Sequence, residues 1–140
     1  DRAEAQAKST GSDRGEREEA ELRRTLGLTP DERVPPQMQG QFKAIADAAK
    51  KRETRQKRDA LDRALIDLLS FYRDVLIVQL NAGTDLVNMD FVSEIGEIAD
   101  SLTAPRTIEI LDQISLARER ISANVAPLLA VEAMMVSLRR

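Results

Sequence analysis

The chain has 140 residues, a formal net charge of -3, and neither cysteine nor histidine. It therefore forms no disulfide or thiolate nucleophile, and it lacks the usual zinc ligands and the commonest general base. Its composition, 42% hydrophobic and only 3% aromatic, is typical of a single helix-rich domain. This composition predicts an all-α protein. No apolar stretch approaches the roughly 18 to 20 residues of a membrane span, so we predict that the protein lies in the cytoplasm.

The first 36 residues are predicted to lie outside the main helical domain. Residues 1–15 contain no large apolar side chain, so we expect a disordered tail there. A short helix is predicted over 16–26, with Gly27 as its C-terminal cap. Three prolines within 29–36 then predict a linker.

One very long helix is predicted from about residue 41 to 81, closed by Gly83. At 1.5 Å per residue it would be about 60 Å long, wider than a small globule, so we expect a strut between two packing sites. A polar stretch over 50–59 separates its two apolar stripes. The first stripe consists of Phe42, Ile45, Ala46 and Ala49, and the second of Leu61, Leu65, Leu68, Tyr72, Val75 and Leu76.

Three further helices are predicted after this one. Asp90 is predicted to cap the first, and Thr103 to open the second. Asn124 is predicted to cap the third, with Pro127 in its first turn. That last helix is apolar nearly all round, so we expect it in the middle of the bundle. Short connections favour antiparallel neighbours, and residues 37–140 are predicted to form one helical bundle.

Two charged residues fall where a helical wheel places apolar ones. On the long helix, Asp74 belongs to a polar stripe with Ser70, whereas Arg73 is turned about 100° away, onto an apolar face. In the last helix, Glu132 is the only charge over 121–138. A lone buried charge is costly, so we predict that each of the two is paired within the bundle or faces a partner protein. The more specific prediction is that Arg73 and Glu132 pair with each other. The alternative is that both lie at the edge of the bundle and reach water.

The segment 50–58 is strongly basic, with six basic residues and one acid. Its basic residues are Lys50, Lys51, Arg52, Arg55, Lys57 and Arg58. Such a run can contact nucleic acid or an acidic partner. No aromatic residue lies among them to stack on bases, so the alternative is a solvated turn of helix.

No sequence motif indicates an enzyme. A phosphate-binding glycine loop, a nucleophile elbow and the usual metal motifs are all missing from the sequence. Neighbouring carboxylates such as Glu18 and Glu19 are typical of exposed helix acids that pair with Lys and Arg. We therefore predict no catalytic, cofactor-binding or metal-binding residue.

Several segments of the chain resemble a known family. They are Arg52-Glu53-Thr54-Arg55, Arg58-Asp59-Ala60-Leu61-Asp62-Arg63-Ala64-Leu65, Asp67-Leu68, Phe71-Tyr72-Arg73-Asp74-Val75-Leu76, Gln79, Asn88, Ile114 and Asn124-Val125-Ala126-Pro127-Leu128-Leu129-Ala130-Val131-Glu132. Together they look like the C-terminal domain of the delta-prime subunit of the bacterial DNA polymerase III clamp loader, in the version of high-GC Gram-positive bacteria. The resemblance covers about residues 16–140, and Ala126 and Val131 depart from the family pattern.

The resemblance implies a collar domain, a helical bundle that joins equivalent domains of the gamma/tau and delta subunits into a ring. The family uses that ring to load the sliding clamp onto primed DNA. The chain would be the C-terminal third of such a subunit, with only indirect or weak DNA contact and no membrane contact, and in isolation it could form a homo-oligomer. ATP-related roles would belong to modules outside it. The residues singled out as structural or interface positions are Tyr72, Arg73, Asp74, Gln79, Asn88, Asn124 and Glu132.

Overall fold

A computed structural model describes the backbone of residues 2–139 and the side chains of residues 13–139. Over these residues the chain is helical and contains no strand, which confirms the predicted all-α class. The elements are α1 (Arg2–Thr25), α2 (Gln39–Gln79), a short 3-10 helix (Met89–Phe91), α3 (Val92–Ser101), α4 (Ala104–Ser122) and α5 (Pro127–Leu138).

The beginning of the chain differs from the prediction. Residue 1 lies outside the described residues, and the structure places residues 2–15, where a tail was predicted, in α1, which begins at Arg2. The prediction weighed only the missing apolar side chains, whereas this segment is rich in Ala, Arg, Glu and Gln, which are strong helix formers. At Gly15, α1 also passes close to α2, since an added Cβ there would lie 3.1 Å from the Cβ of Ala49.

The chain forms two compact units, Asp1–Ala60 and Leu61–Arg140. The predicted boundary near residue 36 is therefore displaced to residue 60, because the first part of α2 packs on α1. The Arg23 guanidinium lies 5.3 Å from the centre of the Phe42 ring, and Arg52 forms a 2.8 Å ion pair with Glu18. No described side chain of this first unit, over 13–60, is fully buried. Its helices therefore meet through half-covered contacts and not through a core.

The second unit contains the hydrophobic core. A larger cluster joins the second part of α2 to α4 and α5, and its buried members are Leu65, Ile110, Ile114, Ala117, Ile121, Ala130 and Met134. A smaller cluster joins α2 to α3 through Val75, Ile95 and Ala99. Tyr72 packs against both clusters, so one half-buried ring connects the two parts of the core.

Three helices end in the same way, on a residue with left-handed backbone conformation. Gly27 follows α1 with φ 72°, Asn81 follows α2 with φ 49°, and Asn124 follows α4 with φ 65°. In each case the amide after that residue bonds back to a carbonyl five positions earlier, which is the Schellman arrangement. Gly27 is thus the predicted cap. Asn81, not Gly83, closes α2, because Asn also tolerates the left-handed region.

The predicted helix starts are right at two positions and wrong at two. The Thr103 hydroxyl accepts a bond from the amide of Arg106, and Pro127 occupies the first turn of α5, as predicted. Asp90 caps no helix, since it lies inside the 3-10 helix that precedes α3. Asn124 does not cap α5 either, because it is used to end α4.

The last helix lies at the surface and not in the middle of the bundle. Only Ala130 and Met134 of α5 are buried. The Arg106 guanidinium at the start of α4 donates to the carbonyl of Leu138 at the end of α5, so the two helices lie side by side over the length of α5. One face of α5 therefore packs on α4, and its other apolar face is left in solvent.

Candidate functional site

The most elaborate polar contact of the second unit is centred on Asp74, whose side chain is fully buried. Its Oδ2 accepts hydrogen bonds from the Asn88 amide at 2.7 Å, the Asn88 Nδ2 at 2.8 Å and the Val87 amide at 2.9 Å. Asn88 Nδ2 also donates to the Ser70 hydroxyl at 3.1 Å, one turn earlier on α2. This group of residues, called the Asp74 clasp below, fixes the segment after α2 against the side of that helix.

The clasp determines the protonation of Asp74. Burial on its own would raise the pKa of this carboxyl group, because it disfavours the charged form. The bonds from Asn88 and from the Val87 amide, together with the Arg73 guanidinium at 3.2 Å from Oδ1, outweigh that effect, and the pKa is lowered below its usual value. Asp74 is thus a buried carboxylate that stays ionised because donors surround it.

Gln79 makes a second link, one turn and a half further along α2. Its Nε2 donates to the carbonyl of Ala99 at 3.2 Å and to the carbonyl of Leu102 at 2.8 Å. These are carbonyls at the end of α3, which an α-helix leaves without intrahelical partners. Gln79 therefore caps a neighbouring helix from the side, and its own Oε1 is buried without a hydrogen-bond partner in the described part of the chain.

The structure reverses the predicted roles of Arg73 and Asp74. Asp74 was placed on a polar stripe and is buried, whereas Arg73 was placed on an apolar face and its side chain is 46% exposed. The predicted pairing of Arg73 with Glu132 is wrong, since Arg73 bonds to Asp74 and Glu132 is exposed. A helical wheel could not foresee this, because the donors to Asp74 come from a non-helical segment 13 and 14 residues away.

The exposed face of α5 is apolar apart from one acid. It consists of Leu128, Leu129, Glu132, Met135 and Val136, and is called the α5 surface below. Its four apolar residues are 56% to 67% exposed. Three- and four-residue spacing places all four directly around Glu132 on the helix. Isolated exposed apolar side chains are ordinary, but four grouped around one charge are typical of an interaction site.

A second apolar surface lies on the segment that the Asp74 clasp holds. Its most exposed members, called the 87–92 surface below, are Val87 and Met89 at 65%, Phe91 at 51% and Val92 at 46%. The Phe91 ring is anchored from behind by Phe71, edge to face, with the ring centres 6.4 Å apart. The sequence indicated Asn88 as a site residue but gave no sign that its apolar neighbours would face solvent.

The basic run divides into paired and exposed residues. Arg52 bonds to Glu18 of α1, and Lys57 pairs with Glu53 at 2.7 Å. Lys50, Lys51 and Arg55 are exposed. They lie together with Asp47, Thr54 and Arg58 along a shallow groove on one side of α2.

One ion pair between helices was not predicted. Arg118 of α4 donates to both carboxylate oxygens of Asp62, at 2.7 Å and 3.2 Å. The guanidinium lowers the pKa of Asp62, and the carboxylate in turn raises the pKa of Arg118. The two residues are 56 positions apart, and a single sequence carries no signal that would connect them. This pair links α2 to α4 within the second unit.

Among the described residues, no three or more Asp and Glu side chains form a group suited to a metal ion. No helix over 2–139 combines the length and apolar character needed to cross a membrane. No protein-family model matches the chain, and no curated protein or solved structure matches it either.

Proposed function

We propose that the chain is an assembly domain that joins other protein subunits through the apolar surfaces of its second unit. In its finer form, the proposal is the collar domain of a clamp-loader delta-prime subunit, acting in the cytoplasm with gamma/tau and delta subunits. The domain would take no part in chemistry, although its parent would belong to the DNA polymerase III holoenzyme. The resemblance of residues 58–79 and 124–132 to that family supports the finer form.

The observation that carries the proposal is the exposure of the α5 surface. A short helix whose outer face is almost entirely apolar gains little from facing water, and burial of such side chains contributes about 1.5 to 3 kcal/mol each. Stable subunit interfaces have apolar centres of this kind. The 87–92 surface offers a second such area in the same unit.

The polar residues singled out by the sequence then have a supporting role. The Asp74 clasp and Gln79 fix the 87–92 segment and α3 on α2, so the 87–92 surface is held in one conformation before a partner arrives. In the same proposal, α2 remains one continuous helix in the assembly and acts as the strut between packing sites.

A nucleic-acid-binding role is the second candidate. The exposed residues Lys50, Lys51 and Arg55 favour it, because they lie on one side of α2. Phosphate contacts weaken steeply as salt rises, whereas apolar helix packing does not. Salt dependence therefore separates the two candidates.

The test is the molar mass in solution, measured by light scattering after gel filtration, of the chain alone and with gamma/tau and delta subunits. We expect a mixed complex that persists at about 0.5 M salt, beyond the range in which surface charges act over distance. Leu129→Ser should weaken it, and Ile66→Ser, on an exposed apolar residue outside both surfaces, should not. Salt-sensitive DNA binding without any mixed complex would favour the second candidate and reject the collar.

A further inference from the structure

Glu132 occupies the centre of the α5 surface. Residues three and four positions away on either side are Leu128, Leu129, Met135 and Val136, so no cationic side chain of α5 can reach it at helical spacing. No ion pair or hydrogen bond joins it to another residue within 13–139. Within Pro127–Leu138 the acid is the only charged residue, so it is the one charge that α5 itself brings to this face.

The face that carries Glu132 is fixed in direction. Ala130 and Met134, on the opposite side of α5, are 1% and 3% exposed and belong to the main core. The bond from Arg106 to the Leu138 carbonyl holds the last turn of the helix. Rotation of α5 to hide its apolar face would expose this core, so the surface is presented as it stands.

Any partner that covers the four apolar residues must also cover Glu132. A carboxylate that loses its water without gaining a partner destabilises a complex by several kcal/mol, so an opposing surface must supply a cation. A straight row of side chains about three turns long fits another helix, packed along it. The matching helix has apolar residues at three- and four-residue spacing around one Lys or Arg.

The same charge disfavours a symmetric pair of identical chains. In a two-fold contact through α5, the surface meets itself, so the two Glu132 carboxylates would approach each other at the centre of an apolar interface. Like charges juxtaposed in this way cost several kcal/mol. The residue therefore discriminates between partners as well as attracting one.

We infer that Glu132 selects the partner of the α5 surface, which is an apolar helix of a different subunit carrying a Lys or Arg opposite Glu132, and not α5 of a second copy. This inference rests on the proposed function.

The first experiment measures binding of the full chain to gamma/tau and delta subunits. Glu132→Lys should raise the dissociation constant about 30-fold or more, and Glu132→Gln should raise it less, because an amide can still accept a hydrogen bond. Asp112→Lys, an equal charge change at an exposed residue of α4, should change it less than about twofold. Circular dichroism checks that each variant stays helical. If Glu132→Lys binds like the unaltered chain, the inference is overturned while the proposed function stands; if the unaltered chain forms no complex, the proposed function fails.

The second experiment needs no partner. By sedimentation, Glu132→Leu should form a concentration-dependent dimer that the unaltered chain and Asp112→Leu do not form. The sequence contains no cysteine, so Met135→Cys would place a single thiol on the α5 surface. A disulfide-linked dimer should form readily only when Glu132→Leu is also present. Equal cross-linking with Glu132 in place, or a Glu132→Leu variant with unchanged mass, would overturn the selective role of this residue.

Discussion

Asp74 is the residue on which the segment between α2 and α3 depends. Its carboxylate satisfies two backbone amides and one side-chain amide, all at a site without water access. Removing an ionised acceptor of this kind leaves several buried donors without a partner. Its contribution to folding is therefore larger than that of any exposed acid of the chain.

We expect Asp74→Asn to lower the free energy of unfolding of the second unit by about 2 to 4 kcal/mol. An amide oxygen in the place of Oδ2 carries no full charge and holds its three donors less strongly. The NH₂ group in the place of Oδ1 would then face the Arg73 guanidinium, another donor. Urea unfolding followed by circular dichroism measures the loss. Asp85→Asn, in the same segment but exposed, should change stability by less than about 0.5 kcal/mol, and an equal loss in both variants would contradict this role of Asp74.

The pH dependence of the same two proteins gives a further check. Because the pKa of Asp74 is lower in the folded chain than in the unfolded one, its stabilisation is fully present above about pH 4. It is lost as the pH falls from there through the folded-state pKa. The stability of Asp74→Asn should fall less steeply with acid than that of the unaltered chain. Glu18 and Asp62, whose pKa values are also lowered, contribute equally to both proteins.

At the level of elements, the helix ends are fixed by backbone conformation more than by side-chain caps. Gly27, Asn81 and Asn124 each provide the left-handed residue that lets the next amide bond back to the helix. In an L-residue with a Cβ and no local polar group, this conformation costs roughly 1 to 2 kcal/mol. The choice of residue at these positions should therefore be measurable.

We expect Asn81→Ala to lower stability by about 1 kcal/mol and Asn81→Gly to leave it unchanged or slightly raised. Gly83→Ala is the matched control, because Gly83 has no positive φ and nothing lies near the place of its Cβ. Thermal unfolding would measure both effects. Should Gly83→Ala prove the more damaging change, the end of α2 would lie where the sequence first placed it.

Helix content could be predicted from the sequence, and the direction of individual side chains could not. Apolar spacing correctly indicated helices over α3, α4 and α5. Thr103 and Pro127 marked the starts of α4 and α5, and Gly27 marked the end of α1. Asp74 and Arg73 were misplaced because the segment that covers Asp74 returns from a turn with no periodic pattern. The prediction that α5 lies in the middle of the bundle was wrong, because an apolar sequence pattern is the same whether the core of the chain or a partner protein covers the helix.

At the scale of the whole molecule, the two units differ in how much they bury. Buried side chains begin at Leu65, and the described residues before it include none. The first unit has a helix-forming composition, four ion pairs among its described residues and a cation–π contact, and every one of these ion pairs is partly exposed. Exposed ion pairs contribute little, with a median of about 0 to 1 kcal/mol. The second unit is therefore the more stable of the two.

Hydrogen exchange measured by mass spectrometry should separate the units. Amides of α1 and of residues 39–60 are expected to exchange well before those of α4 and of the buried turns of α2 near Val75. The comparison is internal, since both sets belong to one chain under one condition. Simultaneous exchange of all these helices would contradict the difference in stability and would indicate a single cooperative unit.

The α5 surface also has a chemical vulnerability. Met135, at 56% exposed, lies within it, whereas its neighbour Met134 is 3% exposed and belongs to the core. Peroxide converts an accessible thioether into a polar sulfoxide and leaves a sheltered one intact. Oxidative damage would thus alter the α5 surface while the fold beneath it persists, and reductase repair of one side chain would restore it.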